Sequence, residues 1–171
     1  LSVAYDKEFT MFLVKDSVTK EITVTVNALE AQKTVVINPA LTSATAGAKI
    51  VVEEKEYTFG TDIFASLADA NIQDNTHIIL MSGEYGAYTL NASNVTITVC
   101  VDNVATLTDR LTLADGVKNV SIDGLKGNSS GQIFTVNNNA NITIKNVVFE
   151  ESRIDASQGT ICFDGYMQNA K

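Results

Sequence analysis

Three short segments of the chain repeat one pattern: Asn94-Val95-Thr96-Ile97, Asn119-Val120-Ser121-Ile122 and Asn141-Ile142-Thr143-Ile144. Their asparagines are 25 and 22 residues apart, and each is preceded by a second strand-like run: Tyr88-Thr89-Leu90, Leu111-Thr112-Leu113 and Phe134-Thr135-Val136. The unit is strand, asparagine-centred turn, strand. A unit this short cannot bury its own apolar face and must stack on copies of itself. The expected fold is all-β, a parallel β-helix, with Ile97, Ile122 and Ile144 inward and above one another because each holds the same offset from its asparagine. Stacked strands would lie about 4.8 Å apart.

The 171 residues are 45% hydrophobic, enough for a real core. Twelve basic against twenty acidic residues leave a net charge of −8 with no basic cluster, which argues against a nucleic-acid footprint or an anionic-membrane patch. No apolar run reaches bilayer-spanning length, and Leu1 opens a mature-looking segment without a signal region. Cys100 and Cys162 lie in apolar strand-like runs and read as small buried hydrophobes rather than reactive thiols. With a single histidine there is no zinc constellation, and no cofactor is expected.

Phe9–Val14 and Glu21–Val26 read as a hairpin, with Ile22, Val24 and Val26 alternating with threonines. The Phe-Thr-x-x-x-Val-x-Asp, turn, Ile-Thr-Val-Thr-Val pattern resembles the last strands of bacterial immunoglobulin-like or cadherin-like sandwich modules. This gives a first region over 1–29, a connecting β segment over 30–62 and the β-helix over 63–171. Within the connector, Thr34–Asn38 is a strand stopped by Pro39, and Glu53-Glu54-Lys55-Glu56 joins a further hairpin. Phe64, Leu67 and Ala68 recur at helical spacing behind Asp62, predicting a capping helix over 63–70 that covers the open end of the first coil. The strands expected after His77 are 78–80, 88–90, 95–99, 104–107, 111–113, 120–122, 133–136, 142–149 and 160–163.

The Phe64-to-Ala70 segment, the following Ile78-to-Tyr85 run ending in Gly83-Glu84-Tyr85, and the Asn-(Val/Ile)-(Thr/Ser)-Ile repeats resemble the right-handed parallel β-helix superfamily of pectate lyases, pectin esterases and bacterial surface proteins. That resemblance covers roughly residues 63–165 and implies a right-handed solenoid. It does not carry over the family's catalysis. Arg110 and Arg153, the two arginines, fall outside segments matching the esterase strands, and the final acid of the Gly-x-Tyr-x-Glu motif is missing at Ala87.

Asn94, Asn119 and Asn141 are expected as structural turn residues, since asparagine tolerates left-handed backbone and its amide can stack in a ladder. The sequons at Asn91 and Asn128 read as turn chemistry. Asp102, Asp109 and Asp123, with Asp115, are candidate calcium ligands, but their spacing follows no calcium-loop pattern and solvated turn acids are the simpler reading. His77 has no nucleophile near it in sequence. Tyr85, Tyr88 and Tyr166 are candidate glycan-facing aromatics, against rung-end packing as the simpler reading.

The function expected is non-enzymatic: a secreted or cell-surface bacterial module, structural or adhesive, whose partner is a surface glycan or further copies of itself. The rival expectation is part of a polysaccharide lyase or esterase with its active site outside this stretch. The final coil, lacking a second capping helix, is expected to continue into more rungs or to stack head to tail on another subunit.

Overall fold

The computed structural model describes residues 7–15, 18–26, 32–128, 132–136, 141–150 and 161–163, with only the backbone described for 7–15, 18–26 and 161–163. The chain divides into two compact units, Leu1–Ala31 and Gln32–Lys171. In the first, β1 (Lys7–Lys15) and β2 (Val18–Val26) pair antiparallel, Lys7 opposite Val26 and Lys15 opposite Val18.

The second unit opens with β3 (Lys33–Ile37), the antiparallel hairpin β4 (Lys49–Val52) and β5 (Lys55–Thr58), and the two-residue β6 (Ile63–Phe64). The chain then makes four similar passes. These are β7 (Thr76–Leu80), β8 (Gly83–Tyr85), β9 (Tyr88–Leu90); β10 (Thr96–Val99), β11 (Ala105–Leu107), β12 (Leu111–Leu113); β13 (Val120–Asp123), β14 (Lys126–Asn128), β15 (Phe134–Val136); and β16 (Ile142–Lys145), β17 (Val148–Glu150), β18 (Ile161–Phe163). Each strand of the first three passes pairs in parallel with the strand three further on. Three sheets result, ordered β16-β13-β10-β7-β3-β6, β17-β14-β11-β8 and β18-β15-β12-β9. The unit is all-β and built mainly on parallel sheets, and among the described residues no helix is long and apolar enough to cross a membrane.

The register follows the asparagine offset. Ile97 pairs with Ile78 on one side and Ile122 on the other, and Ile122 pairs with Ile144. Ile78, Ile97 and Ile122 are buried. Alternation does the rest: in β12 Leu111 and Leu113 are buried while Thr112 between them is partly exposed. In the row Tyr85, Leu107, Gly127, Phe149 the glycine makes room, because a Cβ on Gly127 would sit 3.0 Å from the Phe149 ring and 3.1 Å from Ile133. The sequence-level pattern missed β14 for this reason, since Lys-Gly-Asn carries no strand propensity.

The turn asparagines form a ladder. Asn75, Asn94 and Asn119 take φ of 59°, 56° and 56°. Asn119 Nδ2 donates to Asn94 Oδ1 at 2.8 Å, and Asn141 Nδ2 to Asn119 Oδ1 at 3.3 Å. Asn119→Ala is expected to lower stability by about 2 kcal/mol, combining left-handed strain with lost hydrogen bonds. Asn119→Gly keeps the backbone conformation and is expected to cost about 1 kcal/mol. Urea melts of the two variants check this, and equal losses would remove the backbone's part in the explanation.

Two expectations are corrected. Residues 63–70 do not form the capping helix: Ile63 and Phe64 are β6, and 65–70 run through bends and turns. The exposed edge of β3 takes precedence over helical spacing, as Val36 N donates to Asp62 O at 2.8 Å and Asn38 N to Phe64 O at 2.9 Å. Asp62 accepts from Thr58 N at 3.4 Å instead of capping a helix. Leu67 and Ala70 nevertheless join the main core, so the turn segment buries the apolar positions the helix was expected to bury. The second correction is the single strand over 142–149, which is broken between β16 and β17 where Asn146 has φ 51°.

The β4–β5 hairpin covers a separate apolar cluster. Val36 and Ile79 alternate with inward Val35, Ile37, Ile78 and Leu80, and pack with Val52, Tyr57, Ile63 and Cys100.

Candidate functional site: a groove around Tyr88

The open end of the first pass is shaped by a close approach. Gly83 has φ +153°, and a Cβ there would lie 2.8 Å from Pro39 Cγ. Only glycine lets the Pro39 turn sit directly on β8. Pro39 is placed by Asn38, whose side chain accepts from Ala40 N at 3.1 Å. Beneath, Tyr85 is 4% exposed and its hydroxyl donates to Met81 O at 2.8 Å, with Ile37 O at 3.1 Å as a second acceptor. Burial pushes the Tyr85 hydroxyl well above the ordinary phenol range. Tyr85 is therefore a core residue with a satisfied hydroxyl.

Tyr88, in β9, packs partly against the main core yet remains half-open, and burial also raises its hydroxyl pKa. Three neighbouring cavities share it as a wall. The largest, about 650 Å³, lies beside Gln73, Asp74 and Asn91. The second, about 280 Å³, is lined by Thr89, Thr112, Asp109 and Arg110. The third, about 140 Å³, lies between Pro39, Ala65, Leu67, Glu84 and Ala87. From Thr89 the sheet continues a threonine row, Thr89, Thr112 and Thr135 standing in register on successive strands. The groove thus has one aromatic wall, hydroxyl and carboxylate groups, and an exposed guanidinium that makes no ion pair with a described residue. Asp109 Oδ1 accepts from Arg110 N at 2.7 Å, which fixes the turn that carries both.

The other candidate residues are dispersed. Asp102 is in the turn after β10 with φ 60°, and Asp115 is an exposed turn residue. Asp123 accepts from Asn146 Nδ2 at 2.7 Å. Among the described residues no three His, Cys, Asp or Glu side chains gather to hold a metal ion. His77 contacts Thr98 Oγ1 at 2.8 Å, and burial lowers its pKa. Tyr166 and Arg153 lie outside the described residues, as do the side chain of Cys162 and the sequon residues after Asn128. Of the groove residues, Arg110 and the threonine row were not singled out as ligand contacts from sequence. The signal was present in the central threonine of each repeated strand triplet.

Cys100 is a free, buried thiol beneath the β4–β5 turn. Glu53 and Glu54 take φ of 47° and 64° in that turn. The Glu53 carboxylate accepts from Cys100 Sγ at 3.2 Å and Val101 N at 3.2 Å, and these bonds lower its own pKa. Burial, then the Glu53 carboxylate, push the Cys100 thiol up to about 11. Because the folded-state pKa lies above the ordinary thiol value, this group's contribution to stability is complete below that ordinary value and lost as pH rises through about 11. Native Cys100 is expected to resist a thiol reagent at pH 8 and to react after denaturation, with Cys100→Ser as the control that isolates its signal.

No protein-family model matches the chain, and neither a curated protein nor a solved structure matches it.

Proposed function

We propose that Gln32–Lys171 is a right-handed parallel β-helix of the pectin-lyase-like kind, and that it serves as a non-enzymatic module of a secreted or cell-surface bacterial protein. Its role in this reading is to bind a surface glycan along the groove beside Tyr88. The observation that carries it is the shared wall: one half-open aromatic ring bordering three cavities whose rims offer hydroxyls, amides and carboxylates. Sugars present an apolar ring face and a hydroxyl edge, and such a groove matches both. The stacked parallel strands, each paired three strands on, support the solenoid part of the reading.

A panel of immobilised cell-surface polysaccharides tests it. Binding is expected, weakened about tenfold or more by Tyr88→Ala, an effect on the order of 1.4 kcal/mol. Incubation with pectin and polygalacturonate, with and without calcium, is expected to release neither reducing ends nor unsaturated products. Binding to no glycan, or turnover of either substrate, would overturn the reading.

A further inference from the structure

The groove has one part that ordinary sugar hydroxyls do not fill. The cavity of about 140 Å³ is walled by Pro39, Ala65, Leu67, Ala68 and Ala87, with Glu84 among its polar groups and Tyr88 at its side. It is held open by packing that does not involve Tyr88: Gly83 seats Pro39 directly on β8, and the Tyr85 hydroxyl is tied to backbone carbonyls below. A preformed apolar recess next to a sugar-sized aromatic wall calls for a small apolar substituent on the sugar itself. An acetyl group, roughly twice the volume of a water molecule, fits such a recess.

Charge narrows the class further. Asp74, Glu84 and Asp109 line the three cavities against Arg110 alone, in a chain of net charge −8. A polyanionic glycan is disfavoured there, and a neutral one is not. Glu84 makes no ion pair with a described residue, so its carboxylate is available to accept from an amide N–H.

Resting on the glycan reading above, we infer that the groove recognises a neutral glycan of N-acetylated hexosamine, with the acetyl methyl in the Pro39–Ala87 recess and the sugar ring against Tyr88. Ala87 is exposed and lines both this recess and the cavity beside Arg110, so Ala87→Leu adds bulk at the wall the two share.

The test is calorimetric titration of the full chain with three β-1,4-linked tetramers: N-acetylglucosamine, its de-N-acetylated form and glucose. The acetylated tetramer is expected to bind about tenfold or more tightly than either of the others, the scale on which one methyl-sized group in an apolar pocket discriminates. Ala87→Leu is expected to erase that preference, bringing the acetylated tetramer to the affinity of the glucose tetramer for the same variant. Equal affinity for all three, or tighter binding of the deacetylated tetramer, would overturn the acetyl recess and leave the glycan reading standing. A preference that survives in Ala87→Leu would place the acetyl group elsewhere and equally overturn it. Binding of none of the three, with binding to another polysaccharide on the panel, would reject the N-acetylhexosamine class alone. Failure on the whole panel would reject both.

Discussion

Replacing Phe134 with alanine is expected to destabilise the unit Gln32–Lys171 by about 3–5 kcal/mol, the largest effect expected of a single substitution among the described residues. Phe134 is 1% exposed and lies in register with Leu111 on one side and Ile161 on the other. Its ring meets Phe149 edge to face, with centroids 6.1 Å apart and planes at 79°. Truncation removes the contact to that ring and leaves a cavity in the row shared with Leu111, which stacked strands cannot close without shifting their shared register. Denaturant melts followed by circular dichroism measure the loss. A loss below about 1 kcal/mol would mean that Phe134 is not enclosed by the layers on either side of it.

The second large effect falls on the row the sequence repeat defines. Ile122 is fully buried between its partners Ile97 and Ile144, and Ile122→Ala is expected to cost about 2–4 kcal/mol. Its chain neighbour supplies the internal contrast. Ser121 stands on the opposite face of β13, so Ser121→Ala is expected to change stability by no more than about 0.5 kcal/mol. A one-residue slip of the strand would exchange the two results, because it would send every side chain to the other face.

The sequence made this row readable because identical turns force identical offsets. An asparagine turn followed by an alternating β-branched strand leaves a single register that buries Ile97 and Ile122 and packs the partly exposed Ile144 against the same core. The same periodicity argument failed at Ile63–Ala70, where three apolar residues at helical spacing are compatible with turns that bury Leu67 and Ala70. Hydrogen bonds from the edge of β3 to Asp62 and Phe64 decided the local structure, and those involve residues more than twenty positions apart. Long-range pairing of that kind leaves no mark on local spacing.

The groove was partly legible. The sequence offers Tyr88 as a candidate glycan-facing aromatic, but it offers Tyr85, three residues earlier, in the same way, and Tyr85 is buried with its hydroxyl bonded to carbonyls. What separates them is strand position: Tyr85 continues the inward row of Leu107, whereas Tyr88 stands where the core meets the turn segment through Ala68 and Gln73. Arg110 and Asp109 reach the same groove only because β12 lies beside β9. Composition could not bring residues 88 and 110 together; the pairing of successive passes does.

The central claim is the in-register parallel stacking of those passes, and backbone nuclear Overhauser contacts on isotopically labelled protein test it most directly. Residues 96–98 are expected to give cross-strand contacts to 121–123, and residues 120–123 to 142–145, in the parallel pattern. Antiparallel cross-peaks between these strands, or a parallel register displaced by one residue, would contradict it.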